Sequence, residues 1–419
     1  MNRTRQSIGR ALGLAVACVS VPPLTAQQPP AAAEPLALVN ARVVDVRTGS
    51  ISAPSSVVVR DGVIASIGGP PPPGVRVVDV RGNHLLPGLI DAHTHMADLD
   101  AARRALESGV TTVRGAGGAT YNDVALGILS ARGAIAGPDV VPAGIFVRAE
   151  IGSAIVADPR LADLLPRADT IDKLRRLVRI NLEHGVGVIK TAATERAGLV
   201  GTDPRKQVLT EAEVRAIVEE ASAGGVPVEA HAHGDEGAYA AVSAGVRSIE
   251  HGTYLSDRTL RLMEANGTFL VPTYMTVVDV SEAGGDYDVP ALRVRGRHML
   301  PRLRDVVARA RAIGVRLVTG SDTSYGPSSL TRIAHEIGAF VDMGLTPLEA
   351  IQAATVTPAE LLGLERHTGA IETGLEADLI AVAADPLADV GVIEDVLLVI
   401  SNGRVAIDRL NFEKAASGF

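Results

Sequence analysis

Residues 226–251 read VPVEAHAHGDEGAYAAVSAGVRSIEH, and this stretch contains one complete strand–helix–strand unit. The apolar runs at 226–231 and 246–250 have the length of buried strands, and the alanine-rich segment 235–244 between them favours a helix. Two strands joined in this way run parallel, so their carboxyl ends meet at one edge of the sheet. Histidines stand at the ends of both strands: His231, His233 and His251.

The same alternation of strand and helix extends outward in both directions along the chain. The predicted strands are 85–91, 110–114, 139–147, 186–190, 226–231, 246–250, 268–275 and 315–320. The predicted helices between them are 99–108, 121–132, 170–184, 211–222, 235–244, 257–265 and 296–313. Eight strands that alternate with helices over about 250 residues predict an α/β fold, a (β/α)8 TIM barrel.

Short β-type runs lie on both sides of this region. ALVNARVVDV, SSVVVRDGVIASIG and RVVDVRG precede it, and ADLIAVAADP and VLLVISNGRV follow it. We expect the two ends of the chain to build one small β-sandwich domain. The predicted domains are the first sandwich part at 36–84, the barrel at 85–365, the second sandwich part at 366–412 and a tail at 413–419.

The N-terminus has the form of an export signal. Three arginines precede an apolar run at 11–21, and small residues follow up to Ala26. This order predicts a signal peptide over 1–26, then a linker over 27–35, and a periplasmic or secreted protein. The run is too short to anchor the chain across a bilayer. A lipoprotein signal with Cys18 as the lipidated residue is the alternative.

Composition narrows the classes of function. The formal net charge is -8, aromatic residues make up 3% of the chain, and no basic block is present, which argues against a nucleic-acid partner. Cys18 is the single cysteine and falls within the predicted signal. A metal site in the mature chain must therefore use histidine, carboxylate or modified lysine. We expect a small-molecule substrate and no membrane span, and a homo-oligomer remains open.

A second histidine pair follows the first predicted strand, in LLPGLIDAHTH at 85–95. Residues i and i+2 of a strand point to the same side, so His93 and His95 can converge on one cation. An isolated His-x-His is more often a solvated turn. Here five strand ends carry such residues, and their convergence predicts a metal site. These residues are His93, His95, Lys190, His231, His233, His251 and Asp322.

Lys190 and Asp322 are the two members of this set that are not histidines. Taken alone, Lys190 suits a lysine that reaches out to solvent at a strand end. Beside histidines, a lysine that has added carbon dioxide is a carbamate, an anion whose two oxygens can bridge two cations. Burial favours the neutral, reactive amine that this addition needs. Asp322 can bind metal and accept a proton, and it also suits a helix N-cap.

A set of motifs spread along the chain carries a family resemblance. The motifs are PGLIDAHTH, GVIK, VEAHAHG, SIEHGT, GSD, TPLEAIQAATVTPAELLG and GLEADLIA. With them the chain resembles the metal-dependent amidohydrolase superfamily, in its imidazolonepropionase-like and prolidase-like branch. The resemblance covers about residues 36–410. This branch includes Xaa-Pro dipeptidases and ochratoxin-cleaving amidases.

The resemblance implies two divalent metal ions, with zinc as the expected metal. It implies His93, His95 and Asp322 on the first ion, and His231 and His251 on the second. Lys190 as N6-carboxylysine would bridge them. Two further residues, His233 and Tyr254, would face the substrate.

The resemblance also implies a reaction, the hydrolysis of an amide bond in a small N-acyl amino acid or dipeptide. A hydroxide that bridges the metal ions would attack, and Asp322 would carry the proton. Relatives in this branch often have a Gly-Gly-His type segment after strand three. This chain has GIFVRAEIGSAI at 144–155 instead, where Arg148 or Glu150 can take that place near the substrate.

Two alternatives stand beside this reading. A mononuclear deaminase or a lactam or lactone hydrolase of the same superfamily is the first, and Lys190 argues against it because such enzymes generally lack this lysine. A non-catalytic binding protein is the second. Because every ligand position is filled in this chain, a lost active site is the weaker expectation.

Overall fold

A computed structural model gives the conformation of most of the chain. It describes residues 34–285, 287–329 and 331–410. The predicted signal peptide at 1–26 with Cys18, the linker up to residue 33, and the tail at 413–419 lie outside the described residues and stay predictions. In the part of the chain that is described, no helix combines the length and the apolar character needed to cross a membrane.

Sixteen strands are formed within the described residues. They are β1 (Leu36–Asp45), β2 (Ser50–Ile51), β3 (Ser55–Arg60), β4 (Val63–Ile67), β5 (Arg76–Asp79), β6 (His84–Pro87), β7 (Leu89–Thr94), β8 (Val110–Gly115), β9 (Asp139–Val141), β10 (Ile189–Ala192), β11 (Val228–Ala232), β12 (Ser248–His251), β13 (Phe269–Val271), β14 (Leu379–Val382), β15 (Val396–Ser401) and β16 (Arg404–Asp408).

Eleven α-helices are formed within the same residues. They are α1 (Leu99–Glu107), α2 (Asn122–Ala131), α3 (Ile171–Glu183), α4 (Glu211–Ala223), α5 (Asp235–Ala244), α6 (Asp257–Asn266), α7 (Tyr274–Ser281), α8 (Pro290–Ile313), α9 (Ile333–Asp342), α10 (Pro347–Gln352) and α11 (Val356–Leu362). Short 3-10 helices cover Gly152–Val156, Pro159–Leu164 and Val390–Glu394. Several helices begin at side-chain caps. Thr210 and Glu213, for example, form a capping box at the start of α4.

The two ends of the chain meet in one nine-stranded sheet. Its main path runs β16-β15-β14-β6-β1-β3-β4, and β2 and β5 both pair with β1. The contact between the two ends is the antiparallel pair β6–β14, in which Pro87 lies opposite Leu379. Buried aliphatic side chains from both ends, such as Leu38 and Leu398, form a single core against this sheet. Strands from both ends of the chain therefore share one sheet.

The central region consists of parallel strands with helices between them. One sheet has the order β7-β8-β9 and the other β10-β11-β12-β13. Isolated parallel bridges connect the sheets and the segment predicted as strand eight: Val147 with Thr191, Leu270 with Leu317, and Thr94 with Thr323. This is a TIM-barrel-type α/β fold, the class that the sequence predicts. In such a fold the carboxyl ends of all parallel strands lie on one face.

The first predicted strand, 85–91, is two strands in the structure. The chain leaves the nine-stranded sheet after Pro87 and enters the parallel sheet at Leu89. Gly88 lies at the crossing, and its N–H donates to the carbonyl of Asp378 at 2.8 Å. A Cβ atom on Gly88 would lie 2.1 Å from Thr111 Oγ1, so the crossing requires a residue without a side chain.

The seventh predicted strand, 268–275, is also shorter in the structure. The strand ends at Val271, and α7 begins at Tyr274. The carboxylate of Glu336 on α9 accepts the backbone N–H groups of Tyr274 and Met275 at 2.8 and 2.9 Å. This carboxylate satisfies donors at the start of α7, which is why a helix replaces the end of the strand.

The close approach at Gly88 yields a stability prediction. We expect Gly88→Ala to lower the free energy of unfolding by about 1–3 kcal/mol, because the new methyl group overlaps Thr111. Adding Thr111→Ala removes the two nearest atoms and should restore part of the loss. The measurement is the urea midpoint of each variant.

Gly338→Ala is the matched control for this prediction. It lies within α9 with no atom within 4 Å of an added Cβ, and should stabilise the protein by about 0.5–1 kcal/mol. A Gly88→Ala protein as stable as the wild type would contradict the argument.

Candidate metal centre

One cavity of about 300 Å³ lies at the carboxyl ends of the parallel strands. All of the metal-ligand types predicted at strand ends line it: His93, His95, Lys190, His231, His233, His251 and Asp322. His93 belongs to β7, Lys190 to β10, and His231 to β11, while His251 ends β12. Residues that are up to 229 positions apart in the sequence, His93 and Asp322, thus line one cavity.

The side chains in this cavity form two adjoining groups. Asp322 Oδ1 lies 3.1 Å from His95 Nε2 and 3.5 Å from His93 Nε2. Ligand atoms of His231, His233 and His251 lie within 4.8 Å of one another, and those of His93, His251 and Asp322 meet the same limit. The structure therefore brings His233, which the resemblance assigned to the substrate, as close to the histidine cluster as its neighbours.

Hydrogen bonds on the outer nitrogens orient four of the imidazoles. His95 Nδ1 donates to the carbonyl of Gly117 at 3.0 Å, so its Nε2 carries the lone pair that faces Asp322. His231 Nε2 donates to the carbonyl of Glu195 at 3.3 Å, which leaves Nδ1 as the ligand atom. The hydroxyl groups of Thr253 and Thr273 bond Nδ1 of two further rings. These contacts are His233 with Thr253 at 2.9 Å and His251 with Thr273 at 2.8 Å.

A buried carboxylate orients the remaining histidine, and sequence reasoning missed it. Glu250 Oε2 lies 2.6 Å from His93 Nδ1, and its other oxygen accepts from Arg114 Nη2 at 2.9 Å. Burial alone raises the pKa of Glu250, but Arg114 and His93 outweigh it and hold that pKa below its ordinary value. A carboxylate on the outer nitrogen of a ligand histidine is the usual support of a metal site.

Burial sets the protonation state of the cluster. It lowers the pKa of His93 to about 4 and the pKa of His233 to about 3. Burial is also the largest cause that holds the pKa values of His231 and His251 well below their ordinary value. Neutral imidazole is the form that binds a metal ion. For Asp322, burial raises the pKa, but His93 and His95 outweigh burial and keep the carboxyl ionised.

The surroundings of the Lys190 amine indicate whether these cavity residues suit metal ions. The side chain is 1% exposed, and its Nζ has no hydrogen-bond partner. The nearest acid is Glu229, with Oε1 at 3.9 Å. A buried ammonium that forms no hydrogen bond is costly, whereas a carbamate on Nζ would place an anion among neutral imidazoles. The residues present therefore fit a site of metal ions.

The predicted substrate residues divide into two groups. Arg148 lines the cavity and is half-buried. Glu150 is exposed and pairs with Arg167 at 2.6 Å, so of the two candidates in this segment only Arg148 faces the site. Tyr254 is not among the lining residues; its ring lies 6.3 Å from that of His298. A second lining arginine, Arg196, was not predicted, although it follows the GVIK strand by a few residues.

Comparison with known proteins agrees with this geometry. A model of the Amidohydrolase family matches residues 84–406, and the chain belongs to this family. Ochratoxinase from Aspergillus niger is 30% identical over 389 residues, which cover 81% of this chain and 80% of that protein. Imidazolonepropionase from Symbiobacterium thermophilum is 28% identical over 355 residues, which cover 74% of this chain and 77% of that protein.

A solved structure extends this likeness to the fold. The crystal structure of a Xaa-Pro dipeptidase with bound methionine in the active site matches with a TM-score of 0.79 and 28% identity. The match covers 89% of this chain and 99% of that one. The predicted branch of the superfamily is thereby confirmed, and the chain is a hydrolase. The family is generally metal-dependent, and the His and Asp clusters described above could hold metal.

The contact between Glu250 and His93 yields a prediction about metal affinity. We expect Glu250→Gln to weaken zinc binding by about 10- to 100-fold, because the amide is a poorer acceptor for the His93 N–H and leaves Arg114 less compensated. Competition with a chelator measures the affinity. Glu264→Gln, an exposed position on α6, is the control and should bind zinc like the wild type. Equal affinities of the Glu250 variant and the wild type would remove this support role.

Proposed function

We propose that this protein is a binuclear amidohydrolase that cleaves an amide bond in a small N-acyl amino acid or dipeptide. The observation that carries the proposal is the buried amine of Lys190, which forms no hydrogen bond and lines the same cavity as the histidines and Asp322. A mononuclear deaminase has no use for a lysine at this place. A carbamate on Lys190, by contrast, gives two oxygens for two cations.

Each side chain has a separate task in the proposal. His93, His95 and Asp322 hold the first divalent ion, and His231 and His251 hold the second, with zinc as the expected metal. Lys190, as N6-carboxylysine, joins the two halves. His233 contacts the substrate. Metal ions in this position would polarise the carbonyl group of the substrate and lower the pKa of a bound water.

A side chain of the protein, Asp322, would transfer the proton of the attacking water. The side chain of Asp322 is 9% exposed, and its Oδ1 lies 3.1 Å from His95 Nε2. It can accept the proton of the attacking water and return it to the leaving nitrogen. Transfer in both directions regenerates the starting carboxylate, so one group serves the attack and the departure of the amine.

The shape of the cavity supports a short substrate. Its volume of about 300 Å³ suits a small molecule rather than a folded chain. Arg148 on its wall offers a charged donor to a free carboxylate. The Xaa-Pro dipeptidase among the similar structures acts, by its name, on a dipeptide. Together these observations favour cleavage that releases a C-terminal residue.

For the fold, we propose the finer arrangement that the sequence predicts. The central region would be an eight-stranded barrel over 85–365, with the segment around Leu317 as its eighth strand. The segments 36–84 and 366–412, which contain most of the nine-stranded sheet, would form a β-sandwich. Parallel bridges at Val147 and Leu317, which lie outside the regular strands, support closure of the ring.

The role of Lys190 can be tested directly. We expect Lys190→Ala to lower kcat/KM by about a hundredfold or more, and the metal content to fall below two ions per chain, because the bridge is lost. A short carboxylic acid added in excess should restore part of the activity by replacing the carbamate. Elemental analysis and turnover are measured together. Lys173→Ala, on the surface of α3, is the control. Full activity of the Lys190 variant would exclude the bridge.

The class of substrate is tested with a matched pair of compounds. An N-acyl amino acid should be hydrolysed with a kcat/KM about 10- to 100-fold above that of its carboxamide, because the carboxylate has a charge-assisted partner in Arg148. Arg148→Gln should reduce the difference in kcat/KM between the acid and the carboxamide. Tyr254→Phe, outside the cavity wall, should leave it unchanged. Equal rates for acid and carboxamide would favour a neutral amide, ester or lactone.

A further inference from the structure

Two arginines from different loops line the cavity of the candidate metal centre. Arg148 follows Val147, which pairs with β10, and Arg196 follows the end of β10 itself. Both side chains are half-buried. Among the described residues, the lining contains one carboxylate, Asp322, and this group is engaged with His95 and His93. The described part of the wall therefore offers the arginines no further acid.

The acids next to these arginines in the sequence are bound elsewhere. Glu150 pairs with Arg167 at 2.6 Å. Glu195 pairs with Lys206 at 2.7 Å, and its other oxygen accepts a backbone N–H at 2.8 Å. Within the described parts of the chain, neither Arg148 nor Arg196 has a carboxylate within ion-pair distance. Neither guanidinium group is thus held in an ion pair by the described residues.

The positive charges of Arg148 and Arg196 also repel each other. Burial lowers the pKa of Arg148 and the positive charge of Arg196 lowers it further, while the negative charge of Glu150 partly offsets both. The Arg148 guanidinium lies 5.1 Å from the centre of the Phe146 ring, a weak partner compared with a carboxylate. Like charges in a partly buried wall cost free energy unless an anion lies between or beside them. The arrangement is therefore complementary to a ligand with more than one negative charge.

The loop that carries Arg196 is held in place from outside the cavity. Arg295 on α8 donates from its two terminal nitrogens to carbonyl groups of this loop, at 2.5 Å to Ala197, 2.7 Å to Leu199 and 2.5 Å to Thr202. The guanidinium group of Arg295 is thus bound by carbonyl groups of this loop. A loop fixed in this way presents Arg196 to the cavity without a large loss of entropy on binding.

We propose that Arg196 is a specificity-determining residue that selects a second carboxylate on the substrate. In this inference, which rests on the proposed function, Arg148 binds the α-carboxylate and Arg196 binds the side-chain carboxylate of the released residue. The substrate class is an N-acyl glutamate or aspartate. Apolar side chains on another part of the wall suit the acyl group: Phe146, Ile151, Val280 and Met299.

Binding of a matched pair of small acids tests the subsite without any need for turnover. Glutarate has two carboxylates, and glutaramate has one carboxylate and one amide at the same spacing. We expect calorimetry on the metal-loaded protein to show glutarate binding about 10- to 100-fold more tightly. Arg196→Gln should abolish this preference and change glutaramate binding by less than about threefold. Arg196→Lys, which keeps the charge, should retain part of it.

The matched control is Arg205→Gln. Arg205 follows Arg196 in the same loop region, but it is exposed and pairs with Asp203 at 2.9 Å, and its loss should leave the preference intact. Equal binding of glutarate and glutaramate to the wild type would overturn the inference. Equal weakening of both acids by Arg196→Gln would overturn it too, because the two arginines would then share one carboxylate.

Hydrolysis separates failure of this inference from failure of the proposed function. N-benzoyl-L-glutamate should be cleaved about tenfold or more faster, in kcat/KM, than N-benzoyl-L-glutamine. Equal cleavage of the two would contradict the acidic subsite and leave the amidohydrolase proposal standing. Cleavage of neither, together with a glutarate preference that depends on Arg196, would contradict the proposed function and leave the subsite standing.

Discussion

Arg114 is buried among the parallel strands, and its guanidinium reaches two carboxylates, Glu229 and Glu250, each at 2.9 Å. It also donates to the carbonyl of Ala92 at 2.6 Å and to Ser248 Oγ at 3.0 Å. These contacts join β7, β8, β11 and β12 directly beneath the candidate metal centre. A buried ion pair is costly to form, and removing one partner leaves an uncompensated charge in the interior. The orientation of His93 therefore depends on Arg114 through Glu250.

The same network explains why modification of Lys190 and metal binding belong together. With an unmodified lysine, two cations, Arg114 and Lys190, face two carboxylates, Glu229 and Glu250. A carbamate changes Lys190 into an anion, and the interior then has an excess of negative charge beside Asp322. Divalent cations among the histidines offset this excess. Modification of Lys190 and metal binding would thus favour each other through charge as well as through ligation.

Three residues that line the site have an unusual backbone conformation. His251, Thr273 and Asp322 adopt positive φ angles of 74°, 48° and 48°, although none of them is glycine. Such conformations are strained for these residue types and persist only where the surrounding contacts fix them. His251 and Thr273 fix each other by a hydrogen bond at 2.8 Å. The strain is located where strand ends turn their side chains toward the cavity.

The sequence predicts the ring of ligand-type residues because each one follows a local pattern, an apolar strand that ends in histidine, lysine or aspartate. The TIM-barrel-type fold follows from the alternation of strands and helices. The break at Gly88 and the early end of β13 could not be predicted in this way, because they depend on Thr111 and Glu336, which are distant in the chain. Arg196 was missed for a similar reason: its importance lies in the absence of a partner, which the sequence does not reveal.

The central claim is that Lys190 is a carbamate that bridges two metal ions. Crystals of zinc-loaded protein, measured at the zinc absorption edge, test it most directly. We predict two anomalous peaks about 3.5–4 Å apart, with density for a carboxyl group on Nζ of Lys190 between them. One peak beside a bare amine, or no peak among His93, His231 and His251, would contradict the account.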